Sequence, residues 1–221
     1  MGMSKKSIPA LPRHEVDALT GLPPRAIFDE WWPAVVAVAA KISSSASLAV
    51  FDLDRFGALN AARGEPAADA VLKAVAGTLA KCGEGGHAFR FGGDAIAIVW
   101  PELEKESAFM RADACRQAVD APLVIGKEEV RITVSAGVAA CPDDGEDSAA
   151  LVHKASEALY RAKVTGQNKT CLAREEKMVT KTSHYTQGQL MGLRRLAERD
   201  KINEAQLLRE ALNDLLRKRN A

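Results

Sequence analysis

The sequence of 221 residues lacks a membrane-spanning apolar run, a secretion signal and a cysteine pattern typical of zinc sites. Its longest apolar run, Trp31 to Ala40, is too short to cross a bilayer, and its N-terminus has no apolar signal core. It has only four cysteines, far apart and without a CxxC pair, which predicts reduced thiols in the cytoplasm and no zinc site. A net charge of +1 gives the whole chain little attraction for nucleic acid, so any basic face must be local.

The composition is that of a folded chain with room for one ordinary domain and a small one. Apolar residues make up 47% of the sequence and charged residues 27%. Changes in residue pattern divide the chain into a flexible lead (residues 1–14), a first domain (15–172), a linker (173–179) and a second domain (180–221). Helical and antiparallel hairpin patterns alternate along the first domain, which predicts an α+β fold built around a mixed sheet.

Hydrophobic periodicity predicts the elements of the first domain. Helices are expected over residues 26–42, with Pro33 as a candidate kink, and over 66–82, 106–121 and 148–166. Strands are expected over 47–54, in a hairpin formed by 87–91 and 95–100, and in a second hairpin over 122–140 with Gly126 near its turn. The apolar positions at helical spacing in the second helix are Ala68, Val71, Leu72, Val75, Ala76 and Leu79.

Two carboxylates stand where a folded chain would not place them without a reason. Asp52 lies inside an apolar strand, and a carboxylate there costs free energy unless it is paired, capped or bound to metal. Asp94 follows Gly92 and Gly93 in a tight hairpin, and these glycines allow the backbone to approach a ligand closely. Each Asp alone could be a turn cap. Together, a strand-end Asp and a hairpin-tip Asp form an arrangement that holds Mg²⁺ against triphosphate oxygens.

Five motifs in order resemble those of the GGDEF domain, the diguanylate cyclase family. They span about residues 15–172 and read DALTGLPPR, FDLDRFGALNAARGEPAADAVL, RFGGDAIAIV, VSAGVA and ASEALYRAKVTGQNK. The resemblance implies a palm domain like that of the nucleotidyl cyclases. It also implies a chemistry in which two facing domains join two GTP molecules into cyclic di-GMP with the help of Mg²⁺ or Mn²⁺.

The resemblance assigns roles to residues that are present in this sequence. It makes Asp52, Asp94 and the Leu53 carbonyl the metal ligands. The implied nucleotide contacts are Asn60 and Asp69 to the guanine edge, Lys163 to phosphate, and the backbone at Gly92 and Gly93. A lysine near the end of a helix also suits the helix dipole, so Lys163 has a structural alternative.

Departures from the family pattern remove catalytic and phosphate-binding groups. Ala95 stands where the family has a catalytic Glu, and alanine can neither bind metal nor accept a proton. Gly57 and Gln167 replace a phosphate-contacting lysine and an arginine, and the family's inhibitory RxxD site would fall at Gly83 and Gly86. We therefore expect binding of GTP or a related guanine nucleotide without turnover. The alternatives are residual cyclase activity and a scaffold that binds no nucleotide.

Residues 180–221 have apolar faces too large for so small a unit to bury alone. One strand-like piece, TKTSHYT, precedes two helical runs, QLMGLRRLAERD and EAQLLREALNDLLRK, that repeat leucine at helical spacing. A unit of this size lacks its own core, so a partner chain is implied. Nine basic and five acidic residues follow from Thr180 onward, a local net charge of 9 − 5 = +4.

Residues 178–218 resemble a ribbon-helix-helix domain, an intertwined dimeric DNA-binding fold. The resemblance implies a homodimer whose paired strands enter the major groove of double-stranded DNA. It implies base contacts from Thr180, Thr182 and His184, and a phosphate at the helix N-terminus of Asn203. The leading interpretation is a dimeric DNA-binding regulator that binds guanine nucleotide. The alternatives are a diguanylate cyclase, whose C-terminal dimer raises the effective concentration of facing domains, and a protein-interaction scaffold.

Overall fold

The chain divides into two compact units, Met1–Glu175 and Glu176–Ala221. The computed structural model describes residues 8–13, 15–125, 128–174, 182–200 and 203–219. Among these residues, no helix is both long and apolar enough to span a membrane.

The first unit is an α+β domain around a mixed sheet, as predicted. Its elements are α1 (Arg25–Lys41), β1 (Ala46–Leu53), α2 (Phe56–Arg63), α3 (Glu65–Cys82), β2 (His87–Arg90), β3 (Ala95–Pro101), α4 (Lys105–Val119), β4 (Leu123–Ile125), β5 (Glu128–Val130), β6 (Val134–Cys141), α5 (Ser148–Val164) and β7 (Thr170–Leu172). The main sheet has the order β2-β3-β1-β6-β7. Its pairs are antiparallel except for β6 and β7, which are parallel.

Helices cover both faces of the sheet, so its central strands are apolar on both sides. On one face, Phe51 and Ile98 belong to the core formed with α3 and α4. On the other face, Val50 and Val99 pack with α1 and α5. Successive residues of a strand point to opposite faces, and burial on both sides explains the continuous apolar run of β1.

The predicted helices and the first hairpin are confirmed. The structure places α1 through Pro33 without interruption, and β2 and β3 form the expected hairpin. The apolar positions predicted in α3 are all buried: Ala68, Val71, Leu72, Val75, Ala76 and Leu79. These elements follow from local periodicity, which the sequence displays directly.

The prediction of a second hairpin over residues 122–140 is wrong in its second half. β4 and β5 form a separate two-stranded sheet, whereas β6 pairs with β1 in the centre of the main sheet. Gly126, expected near the turn, lies outside the described residues. Gly137 in β6 shows why small residues occur there: a Cβ at this position would lie 2.0 Å from the backbone oxygen of Ala155 in α5. β6 is therefore a central strand under a closely packed helix.

Two short elements were not predicted. The α2 helix follows β1 directly and has only eight residues, of which Phe56 and Leu59 pack partly buried against the core. β7 pairs in parallel with β6, although it has only three residues and the charged residues that follow it favour a linker. β7 depends on pairing with β6, which its own residues do not encode.

The second unit contains the two predicted helices, α6 (Gln187–Asp200) and α7 (Glu204–Arg219). Large apolar side chains are exposed on both helices: Leu190, Met191, Leu196, Leu208, Leu212 and Leu215. The strand predicted over residues 180–186 is not present in its described part, residues 182–186. A ribbon strand is held by hydrogen bonds to the same strand of a second chain, and a single chain does not supply that partner.

Candidate functional site

The three metal ligands expected from the sequence lie together at one end of the main sheet. Strand β1 is antiparallel to β3, and their register pairs Asp52 with Ala95. Asp94 therefore immediately precedes the residue opposite Asp52, and its carbonyl accepts a hydrogen bond of 3.4 Å from the Leu53 amide. The end of the central strand β1 and the turn of the neighbouring β2–β3 hairpin thus bring two carboxylates to the same end of the sheet.

The Asp52 carboxylate is partly desolvated and lies near one lysine and two other carboxylates. Its side chain is 23% exposed and forms an ion pair with Lys163 of α5. Burial raises the pKa of Asp52, the ion pair with Lys163 opposes that rise, and the carboxylates of Asp94 and Asp54 add to it. A cation placed between Asp52 and Asp94 would relieve this electrostatic cost.

The donor set fits a magnesium or manganese ion. Two carboxylates and a main-chain carbonyl are hard oxygen donors, and Mg²⁺ commonly binds through one or two carboxylates together with substrate phosphates. Lys163 contacts one oxygen of Asp52, which leaves the other oxygen available. No group of three or more His, Cys, Asp or Glu side chains suited to a metal is present in the described part of the chain. The remaining ligands of such an ion would therefore come from nucleotide and water.

Asp54, the second aspartate of the strand end, has a structural role. It is 3% exposed, and its carboxylate accepts hydrogen bonds from the hydroxyls of Thr133 and Ser135, both at 2.7 Å. The Asn168 amide donates a third bond at 2.9 Å. Asp54 therefore fastens the end of β1 to β6 and to the segment before β7, which holds the neighbouring Asp52 in place.

A clamp formed by Arg90 holds the hairpin tip that carries Asp94. Its guanidinium donates to the carbonyls of Gly92 at 3.1 Å and Gly93 at 2.6 Å, and to the Asp17 carboxylate at 3.2 Å. Asp17 also accepts from the amide and hydroxyl of Thr20, and these bonds, with Arg90, lower its pKa. The sequence analysis did not identify the role of Arg90, although this residue opens the hairpin motif RFGGDAIAIV.

The two hairpin glycines leave the backbone open to a ligand. Neither has a positive φ, so the turn itself does not need glycine for a left-handed conformation. Both are exposed, and a Cβ at Gly93 would meet no atom within 4 Å. The role that the geometry allows for Gly92 and Gly93 is close approach of a nucleotide to the main chain.

The residues expected to bind guanine lie on the two helices that follow β1. Asn60 is exposed on α2, and Asp69 is half-buried near the start of α3. Gly64 joins the helices with a φ of 79°, a left-handed conformation that suits glycine. The side-chain amide of Asn60 and the carboxylate of Asp69 thus lie on the two adjacent helices that follow the Asp52 end of β1.

Arg55, which the sequence analysis did not identify, lies near the positions where Gly57 and Gln167 replace the family's lysine and arginine. Arg55 is exposed, has a φ of 55°, and donates from Nε to the side-chain oxygen of Gln167 at 3.2 Å. A positive φ is uncommon for arginine and is often found at functional sites. Gly57, where the family has lysine, is exposed, and a Cβ there would meet no atom within 4 Å. Arg55 therefore supplies positive charge next to the two replaced positions.

The comparison with protein families decides the relationship of the first unit. The family model described as "Diguanylate cyclase, GGDEF domain" matches residues 14–169. The chain belongs to the GGDEF family. Unit 2 lies beyond the matched residues.

Curated relatives of this GGDEF protein include proteins named as cyclases. It is 36% identical over 155 residues to the diguanylate cyclase DgcP of Pseudomonas aeruginosa, covering 69% of this chain and 23% of the relative. It is 34% identical over 159 residues to the diguanylate cyclase DgcM of Escherichia coli K12, covering 71% of this chain and 38% of the relative. The chain therefore spans well under half the length of either relative.

Solved structures of GGDEF domains share the fold of the first unit. The GGDEF domain of TpbB (YfiN) from Pseudomonas aeruginosa is 29% identical, with a TM-score of 0.70 over 72% of this chain and 95% of that one. The GGDEF domain of DgcB from Caulobacter crescentus, solved in complex with c-di-GMP, is 28% identical, with a TM-score of 0.68 over 73% of this chain and 98% of that one.

The DNA-contacting residues expected in unit 2 are exposed where the structure describes them. Thr182 and His184 lie in the segment before α6, and Asn203 directly precedes α7, where its carbonyl accepts from the Leu207 amide at 3.3 Å. Thr180 lies outside the described residues. A capping box begins α6, because Thr186 and Gln189 exchange hydrogen bonds. The two helices are thus well formed, and the expected DNA contacts remain predictions.

Proposed function

We propose that this protein is a dimeric DNA-binding regulator whose GGDEF domain binds a guanine nucleotide, GTP or cyclic di-GMP, without turning it over. The observation that carries the absence of turnover is the pairing of Ala95 with Asp52 across β1 and β3. Directly opposed residues project from the same face of a sheet, with Cβ atoms about 5 Å apart. A methyl group therefore stands beside Asp52 at the position of the family's catalytic carboxylate, and it can neither hold a metal nor accept a proton.

The groups that remain support nucleotide binding. Asp52, Asp94 and the Leu53 carbonyl would hold Mg²⁺ or Mn²⁺, and such an ion neutralises charge on phosphate oxygens. In the structure Lys163 is the counter-charge of Asp52. An ion bound to Asp52 would take over that role and leave the Lys163 ammonium to contact a phosphate. Binding of metal and of triphosphate would thus support each other.

Selectivity for guanine would come from Asn60 and Asp69. A carboxylate accepts hydrogen bonds and cannot donate them when ionised, whereas an amide does both. Guanine presents two donors, N1–H and the 2-amino group, beside its O6 acceptor, and adenine does not present this pattern. A site built for these donors leaves its own groups unpaired when adenine enters, which costs affinity.

Titration calorimetry of the full chain with GTP, ATP and cyclic di-GMP in the presence of Mg²⁺ tests nucleotide binding. We expect GTP to bind more tightly than ATP, and Asp69→Ala to remove that preference. Asp29→Ala, a change at an exposed carboxylate on α1, is the matched control and should bind GTP like the parent. Equal affinity for GTP and ATP in the parent would contradict the proposed site.

The DNA-binding part of the proposal rests on the second unit. The exposed leucines of α6 and α7 are suited to association with a second copy, and two copies double the local positive charge. Within that dimer, Thr180, Thr182 and His184 would contact bases, and the helix N-terminus at Asn203 would face a phosphate. We propose the linker at residues 173–179, with the ribbon-helix-helix domain over 180–221.

A diguanylate cyclase is the second candidate, because the metal-binding carboxylates are retained and the relatives DgcP and DgcM carry that name. A C-terminal dimer would then bring two GGDEF domains together. Turnover of labelled GTP with Mg²⁺ or Mn²⁺ separates the candidates. The regulator should give no cyclic di-GMP, and a rate of about 1 s⁻¹ or more, typical of enzymes, would identify a cyclase.

A further inference from the structure

The turn between β1 and α2 presents Arg55 at the Asp52 end of the sheet. Arg55 immediately precedes α2 and has a left-handed backbone with a φ of 55°. Its carbonyl accepts hydrogen bonds from the amides of Ala58 at 3.0 Å and Leu59 at 3.1 Å, which fixes the backbone of the turn. The Arg55 side chain is exposed, so packing does not explain why an arginine occupies a conformation that is unfavourable for it.

A well-anchored turn holds the hydrogen-bond partner of Arg55. The Arg55 Nε donates to the side-chain oxygen of Gln167 at 3.2 Å. The Gln167 amide donates to the Ala162 carbonyl at 3.0 Å, and the amide of the next residue, Asn168, donates to the buried Asp54 carboxylate at 2.9 Å. Because Gln167 is fixed in this way, its contact with Nε gives the Arg55 guanidinium a defined place.

No carboxylate neutralises the charge of Arg55. Among the residues that the structure describes, Arg55 forms no ion pair, and the two terminal nitrogens of its guanidinium make no hydrogen bond. Lys163 differs, because it pairs with Asp52. The end of α5 and the turn after it supply Lys163 to Asp52 and Gln167 to Arg55, so both cations lie at the Asp52 end of the sheet. The exposed terminal nitrogens can donate two parallel hydrogen bonds to a phosphate.

The distance along α2 separates Arg55 from the group expected to bind guanine. Asn60 lies five residues after Arg55, about 7–8 Å further along the helix axis at about 1.5 Å per residue. A guanine at Asn60 and a phosphate at Arg55 would therefore be well apart. Within a nucleoside triphosphate, the phosphate farthest from the base is the terminal one.

We propose that Arg55 binds the terminal phosphate of GTP, in place of the two cations that the family has at positions 57 and 167. The inference rests on the proposed function, in which unit 1 binds a guanine nucleotide. At position 57, a glycine leaves the space after Arg55 open. At position 167, a neutral glutamine accepts a hydrogen bond from Arg55, whereas an arginine would repel it. The ligand is thus a triphosphate rather than cyclic di-GMP, which has no terminal phosphate.

Titration calorimetry of the full chain with GTP, GDP, ATP and cyclic di-GMP, each with Mg²⁺, tests the role of Arg55. The parent should bind GTP more tightly than GDP. Arg55→Gln should weaken GTP binding about tenfold, the loss expected for one charge-assisted contact, and change GDP binding by less than about twofold. The contact does not involve the base, so ATP should weaken by the same factor as GTP, and the preference for GTP over ATP should stay.

Two further variants control for structure and for net charge. Arg55→Asn also removes the charge, and asparagine tolerates a left-handed backbone, so this variant should reproduce the loss of GTP affinity without strain in the turn. Arg111→Gln removes the same charge from an exposed arginine on α4 that also donates to a neutral oxygen, the Glu84 carbonyl. This control should bind GTP like the parent.

The outcomes separate the role of Arg55 from the proposed function. If the parent prefers GTP over ATP but both Arg55 variants keep its GTP affinity, the role of Arg55 is overturned and the proposed function stands. Equal losses for GTP and GDP would also overturn the contact with the terminal phosphate, as would a parent that binds cyclic di-GMP but not GTP. A parent that binds no guanine nucleotide would overturn both proposals.

Discussion

Restoring the signature carboxylate by Ala95→Glu should destabilise the protein without metal and make its stability depend on Mg²⁺. Position 95 is directly opposite Asp52 and follows Asp94 in the chain. A glutamate at position 95 therefore adds a third negative charge at this end of the sheet. At a separation of about 5 Å and an effective dielectric constant of about 20, two unit charges repel by about 3 kcal/mol. Partial exposure of Asp52 and its ion pair with Lys163 reduce this to about 1–2 kcal/mol.

The measurement is the free energy of unfolding in urea at pH 7, with a chelator and then with millimolar Mg²⁺. Ala95→Gln is the matched control, because glutamine has the size of glutamate without its charge. With chelator, Ala95→Glu should be less stable than Ala95→Gln by about 1–2 kcal/mol, and Mg²⁺ should close most of that gap. Acidification should also close the stability gap between the two variants. Repulsion raises the folded-state pKa of these carboxyls, and the repulsion disappears as they are protonated.

Equal stability of Ala95→Glu and Ala95→Gln in the chelator would refute the reasoning, since it would mean that position 95 does not share an electrostatic environment with Asp52. Equal stabilisation of the two variants by Mg²⁺ would show that the ion binds elsewhere. Neither measurement depends on catalytic activity, so the result stands whether or not cyclase turnover returns.

Three further predictions address the remaining features. Thr182→Ala should weaken binding to a specific DNA site by about 1–3 kcal/mol in a fluorescence-anisotropy titration. Arg195 is an exposed residue of α6 that we expect to contact phosphate, so Arg195→Ala should weaken binding to all DNA sequences alike and flatten the salt dependence. If Thr182→Ala also weakened binding to all DNA sequences alike, the result would contradict a strand that contacts bases in the major groove. Deletion of residues 176–221 should convert a dimer into a monomer by light scattering, and a truncated dimer would place the interface in unit 1. Asp17→Asn should lower stability at neutral pH. Because the folded-state pKa of Asp17 is lowered, the difference from the parent should shrink as the pH falls below about 4; a constant difference would mean that its charge plays no part.

The sequence predicts best where an element is specified by its own residues. The apolar positions of α3 repeat at helical spacing, and every one of them is buried. The two short strand patterns on either side of Gly92 and Gly93 are sufficient to predict the β2–β3 hairpin. The approach of Asp94 to Asp52 also requires β3 to pair with β1. The resemblance to the family motifs then assigns metal-binding and nucleotide-binding roles to these residues.

The sequence predicts poorly where the partner is distant along the chain. The hydrogen bonds of Asp54 come from Thr133, Ser135 and Asn168, and no local pattern distinguishes this buried aspartate from Asp52 two residues earlier. The central position of β6 depends on pairing with β1, which local alternation does not encode.

The location of the candidate groups separates the two roles that dimerisation could have. Asp52, Asp69, Asp94 and Lys163 all belong to unit 1, so the proposed binding of one nucleotide would need no residue of unit 2. The TpbB structure, which comprises only a GGDEF domain, indicates that such a unit folds without further domains. If the truncated chain binds GTP as the full chain does while losing DNA affinity, the dimer serves DNA recognition. Joining two GTP molecules would instead require two facing sites, and truncation would then remove product formation while leaving the binding of GTP intact.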